Sequence, residues 1–169
     1  MRVGCRGLLT IIVVTVAMAV MPIVALAATT YADSITGAEV YATVTEGRFA
    51  GAASGDLPGS WHIDVLHDPL TTTARIIGGT FSLTTVLNGQ LATVRGVFAN
   101  GGQVTQTGGF SGCTDQAFAL SGALLNVGPS GAQSGAGSFS GVLTHHRHSL
   151  YGYCVTYSAS VTGGLRLTF

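Results

Sequence analysis

The chain has 169 residues, with seven arginines, no lysine, seven acids and 25 glycines; 47% of it is hydrophobic and 8% charged. A chain of this length forms one domain with ample apolar material for a core. With no basic excess to neutralise phosphates it is not a nucleic-acid binder, and charge this sparse excludes a coiled coil or a charged disordered tail.

Residues 1–27 read as a secretory signal peptide. Arg2 and Arg6 precede a mostly apolar run over Leu8–Met21, Pro22 breaks the run, and Ala25-Leu26-Ala27 has the small-x-small form of a cleavage site. The two arginines are not adjacent, so the route is Sec-type, not twin-arginine. The expected destination is the periplasm, the cell envelope or the exterior. The chain after residue 27 carries five arginines against seven acids, a formal charge of −2. Residues 28–38 are expected to be an N-terminal extension, and 39–169 a single all-β domain.

Period-2 alternation sets the fold class. Trp61, Ile63 and Val65 alternate with His62 and Asp64. Phe81, Leu83 and Leu87 alternate with Thr80, Ser82 and Thr84. Tyr151, Tyr153, Val155, Tyr157, Ala159 and Val161 form one face of a late strand, and Leu165, Leu167 and Phe169 end the chain in the same rhythm. Turn signals separate these runs at Gly55–Gly59, Asp68-Pro69, Asn88-Gly89, Asn100-Gly101-Gly102 and Gly163-Gly164. Gly128–Gly137 reads as the longest loop. A Gly-x-Phe pattern recurs near Phe49, Phe81, Phe110 and Phe139, at steps of about 30 residues. Soluble open sheets blunt their edges with charge, often lysine. A chain without lysine fits a closed sheet, which has no edges. The expected fold is a small antiparallel β-barrel of about 8–10 strands, with a β-sandwich as the alternative.

Gly59-Ser60-Trp61 opens a predicted strand and Arg166 sits on the last one. This pairing resembles the calycin arrangement of lipocalins and avidins, and the resemblance implies that the arginine packs over the indole at the closed end of a barrel. Cys113 and Cys154 are the two cysteines left after residue 27, and in an oxidising compartment they are expected to form one disulfide.

His145-His146-Arg147-His148 is expected to be a polar hairpin loop between strands ending near Thr144 and starting near Leu150. On a strand, His146 and His148 would share a face and form two ligands of a zinc or copper site, with a third from elsewhere. No motif calls for a cofactor, and no Gly-x-Ser-x-Gly elbow marks a nucleophile. The function these features favour is an exported, non-enzymatic binding or structural module. Its partner would be a small apolar ligand or a cell-envelope component, and an apolar pocket would be lined by Trp61, Phe81, Tyr153 and Tyr157. The alternatives are a small outer-membrane barrel, which would bring a membrane in as partner, and a metal-dependent enzyme built on the histidines.

Overall fold

The computed structural model describes residues 27–129 and 134–169. The expected signal peptide, apart from Ala27, therefore lies outside the described residues. Nine strands run in order: β1 (Thr30–Ala42), β2 (Glu46–Gly55), β3 (Gly59–His67), β4 (Thr73–Leu87), β5 (Gln90–Phe98), β6 (Gly102–Gly108), β7 (Gln116–Pro129), β8 (Gly135–Leu150) and β9 (Tyr153–Thr168). Every pairing is antiparallel, and the sheet closes on itself through β1–β9 and β3–β4. The fold is a closed up-and-down barrel, as the missing lysines imply, and not a sandwich.

The nine strands make eight staves. β5 and β6 run end to end between the same two neighbours. Val97 faces Thr80 and Gly102 faces Ile76 along β4, while Phe98 faces Leu124 and Gln103 faces Ser121 along β7. Asn100-Gly101-Gly102, expected as a turn between strands, is instead an interruption within one stave, with Gly101 at φ +115°. Gly163-Gly164 is likewise no turn: both glycines are continuous with β9, opposite Gly141 and Ser140. The expected Gly128–Gly137 loop is shorter, because β7 runs to Pro129 and β8 starts at Gly135; residues 130–133 lie outside the described residues. Asn88-Gly89 forms its hairpin as expected, both residues with positive φ (52° and 77°). Of the Gly-x-Phe positions, Phe49, Phe81 and Phe139 are core side chains, whereas Phe110 is exposed in the β6–β7 connection, so the rhythm marks no structural repeat.

Residues 30–38 are not an extension. They form most of β1, bonded to β2 on one side and to β9 on the other.

Apolar side chains fill the lumen. Ile35, Trp61, Ile63, Ile76, Phe81 and Leu83 are buried there, with Val94, Leu124, Val127, Val161, Leu165 and Leu167 from the other staves. The two ends of the barrel differ. At the end where Thr29 and Phe169 pair, the β2–β3 connection turns inward and buries Leu57. The Leu57 N–H donates to Asp33 Oδ1 at 2.8 Å, and the Ala32 N–H donates to Asp56 Oδ2 at 2.8 Å. Tyr31 and Phe169 pack ring to ring at 5.0 Å beside them. This end is the floor.

Trp61 stands just above it, 2% exposed, and its Nε1–H is shared between Thr36 O (3.2 Å) and Ala52 O (3.0 Å). The ring fits because Gly37 and Gly51 face each other beneath it. A Cβ on Gly37 would lie 2.6 Å from Trp61 Cζ2. Arg166 does not cover this indole. It alternates with the inward Leu165 and Leu167, so it points to solvent, and the arginine–indole contact implied by the calycin resemblance is absent.

Asp33 is 6% exposed, and its Oδ2 has no hydrogen-bond partner among the described residues. Burial pushes its carboxyl above the usual carboxylate range; the Leu57 N–H opposes that shift and the nearby Asp56 adds to it. A raised folded pKa makes a contribution that is fully present below the unfolded value of about 4 and is lost as pH rises through the folded value. The stability difference between Asp33→Asn and the parent should therefore move in favour of the variant as pH rises from about 3 to 7. Urea unfolding at several pH values measures it, and a pH-independent difference would contradict the assignment.

Candidate functional site

The other end of the barrel is open. A cavity of about 200 Å³ lies there, walled by Phe49, Ile63, Val65, Ile76, Val104 and Leu143 and rimmed by Val44, Pro69 and Leu70 from the β1–β2 and β3–β4 connections. Trp61 and Phe81, two of the side chains expected around a pocket, lie in the packed core, each 2% exposed, and do not line this cavity. Tyr153 and Tyr157 are outside, 76% and 64% exposed.

A bulge explains the tyrosines. In the β8–β9 ladder Ser158 faces His146 and Thr156 faces Arg147, so Tyr157 is an extra residue on β9. One inserted residue breaks the alternation that a strict period-2 reading carries through it. β9 also pairs with β1 only as far as Ala38↔Ser160, and β7 with β8 only as far as Gln116↔His145. Beyond those points the β8–β9 hairpin projects past the rim and has no lumen to face. Its turn is Tyr151-Gly152, with φ of 49° and 82°; the His145–His148 segment expected as a loop is strand.

A second bulge shapes the mouth. Glu39 faces Phe49 and Tyr41 faces Arg48, so Val40 is extra. Glu39 keeps the inward phase of Ile35 and Gly37. Tyr41 is turned outward, beneath the Arg48 guanidinium at 4.8 Å, and Ala42 lines the cavity. Arg48 is also bonded to Glu46 at 2.7 Å, and that contact holds its guanidinium above the ordinary arginine value.

Glu39 meets His145 at the cavity wall, Oε2 to Nε2 at 2.9 Å, with side-chain exposures of 12% and 21%. The imidazole also packs on Phe118, 5.1 Å between centroids. Glu39 is the residue that sequence reasoning missed. An acid at a regular inward strand position, immediately before a bulge, was the only signal for it.

His146 is next in sequence and faces the opposite way. Its Nδ1–H donates to Asp115 Oδ2 at 2.9 Å, and its Nε2 lies 3.0 Å from Ser160 Oγ. Asp115 Oδ1 accepts the Arg147 N–H at 3.0 Å. That backbone donor, with His146 second, holds the Asp115 carboxyl below its usual range. The His148 ring lies 5.2 Å from Tyr157 and the His146 ring 6.2 Å from it. His62 is bonded to Asp64 on the outer face of β3, and His67 Nδ1 to the Asp68 carbonyl. Among the described residues no three His, Cys, Asp or Glu side chains are grouped to hold a metal ion, and His146 and His148 belong to no such group.

The expected disulfide is present. Cys113 in the β6–β7 connection is bonded to Cys154 on the projecting hairpin, with Cα atoms 5.4 Å apart. A disulfide of this kind fits an oxidising compartment outside the cytoplasm. Among the described residues no helix is long and apolar enough to cross a membrane. In comparisons with known proteins, no family model, no curated protein and no solved structure matches the chain.

Proposed function

We propose that the barrel is an extracytoplasmic binding module whose open end holds one small, largely apolar molecule bearing a single hydrogen-bonding group. The observation that carries this reading is the Glu39–His145 pair set in the wall of a mostly apolar cavity, whose lining also includes Thr43, Glu46 and His67. An apolar wall supplies affinity through buried area, and a few convergent polar groups orient the ligand. Size narrows the class. A cavity of about 200 Å³ is somewhat larger than the ~150 Å³ that accepts benzene, and smaller than the roughly 300–1,000 Å³ of a drug-sized site. A one-ring alcohol or phenol fits both the volume and the polar pair.

The distribution of side chains supports this reading over an outer-membrane barrel. A membrane barrel carries an apolar band outside and polar side chains within. Here the lumen is apolar, and the outward positions of β2–β5 and β9 include Arg48, His62, Asp64, Arg75, Arg95 and Arg166.

Toluene and benzyl alcohol, titrated into the ¹⁵N-labelled protein, test the proposal. Both should shift amides of Phe49, Val65 and Leu143, and benzyl alcohol should bind tighter by about tenfold, the ~1.4 kcal/mol expected of one buried polar contact. Leu143→Trp, which fills the cavity, should abolish both. Unmoved spectra in the parent protein would refute the reading.

A further inference from the structure

The outer wall carries a second site, independent of the cavity. Two adjacent staves and the connection beside them each supply one side chain to a single row: Asp115 from the β6–β7 connection, immediately before β7, His146 from β8 and Ser160 from β9. The distances along the row are 2.9 Å (Asp115 Oδ2 to His146 Nδ1) and 3.0 Å (His146 Nε2 to Ser160 Oγ). Asp115 accepts at Nδ1–H, so the neutral imidazole presents a bare Nε2 to the Ser160 hydroxyl, which donates to it. This is the connectivity of a nucleophile, a general base and an orienting carboxylate, recognised by geometry and not by chain order. The orienting member is itself fixed, because its second oxygen is held by the Arg147 N–H. Two residues before it, Cys113 ties the same connection to the β8–β9 hairpin.

We propose that Ser160, His146 and Asp115 form an acyl-transfer site that hydrolyses small, uncharged esters. Ser160 Oγ attacks the ester carbonyl carbon while its proton passes to His146 Nε2. The tetrahedral adduct collapses, the ester C–O bond breaks, and His146 returns that proton to the departing alcohol. Water then attacks the acyl-serine with His146 as base, releasing the carboxylic acid and restoring the Ser160 hydroxyl. Two features of the wall define the substrate. Ser160 lies opposite the small, exposed Ala38 on β1, with Val40 exposed two residues further on, so a short aliphatic acyl group has an apolar floor and no counter-charge. The β9 residues beyond Ser160 pair with β8 alone, which leaves N–H groups on their other edge as donors to a developing oxyanion. Asp115 is a positioning residue in this scheme, whereas Ser160 and His146 are catalytic.

The oxidised protein, p-nitrophenyl acetate and a fluorophosphonate provide the test. The fluorophosphonate should phosphonylate Ser160 with loss of fluoride, read as an adduct on the Ser160 peptide by mass spectrometry. His146→Ala should slow that labelling and the ester hydrolysis by about 100-fold, the scale of a positioned general base. Ser160→Ala should lower hydrolysis to the same level, and Asp115→Asn should reduce kcat with KM unchanged. His62→Ala, at an exposed histidine of β3, should leave the rate as it was. Hydrolysis that persists in Ser160→Ala, with no adduct at Ser160 in the parent, would assign the activity to surface imidazole alone and overturn the proposal. Absence of both hydrolysis and adduct in the parent would overturn it equally.

Discussion

Deletion of Thr30–Ala38 is expected to abolish the cooperative unfolding transition. Those residues supply nine consecutive register pairs to β9, and with them the barrel is a ring. Without them β2 and β9 become two long open edges in a chain that has no lysine to protect them. Asp33 and Ile35 leave as well, and with Asp33 goes the acceptor that holds Leu57 in the floor. The shortened chain should aggregate, bind a hydrophobic dye and melt without a sigmoid. A sharp transition in calorimetry would show that the remaining seven staves close by themselves.

Replacing Trp61 by alanine is expected to cost about 3–5 kcal/mol in urea unfolding, the range for a large aromatic removed from a well-packed core. Relaxation cannot recover much of that loss. The ring is bounded by the Gly37 backbone, which has no side chain to move inward. The indole also satisfies two carbonyls that lie on different staves, Thr36 O on β1 and Ala52 O on β2. Trp61→Phe separates the two effects: it retains most of the volume and removes the donor, so its loss should be nearer 1 kcal/mol. Equal losses in the two variants would mean that the N–H, and not the packing, carries the stabilisation.

Barrel closure and the inward faces of β3 and β4 were legible in the sequence. They depend on unbroken alternation, as at Trp61–Val65 and Thr80–Leu83, and on an edge argument that needs only composition. The site at the mouth was not legible, for a physical reason that repeats. Each of its determinants sits beside an irregularity of one residue. Val40 leaves Glu39 as the last inward residue before the phase changes, and Tyr157 breaks the alternation on which the inward tyrosine face depended. Composition does not mark a bulge; the unequal count of residues on two paired strands does, and pairing is a property of the fold. The Asp115–His146–Ser160 row was invisible for a related reason, since its members are separated by 31 and 14 positions and meet only where the β6–β7 connection lies beside the β8–β9 ladder. The disulfide was legible because only two cysteines lie beyond residue 27. The turn at Tyr151-Gly152 was missed because a tyrosine seldom adopts positive φ.

The bonds that join Thr29 to Phe169 also orient the molecule. Thr29 and Phe169 exchange both backbone hydrogen bonds, at 2.9 and 3.1 Å, beneath the floor. Thr29 and Phe169 therefore both sit at the sealed base, and the mouth opens at the opposite end of the barrel. The same adjacency makes the chain a natural subject for circular permutation: a short linker across Thr29 and Phe169, with new ends cut at Asn88-Gly89, would preserve every stave and leave the mouth as it is.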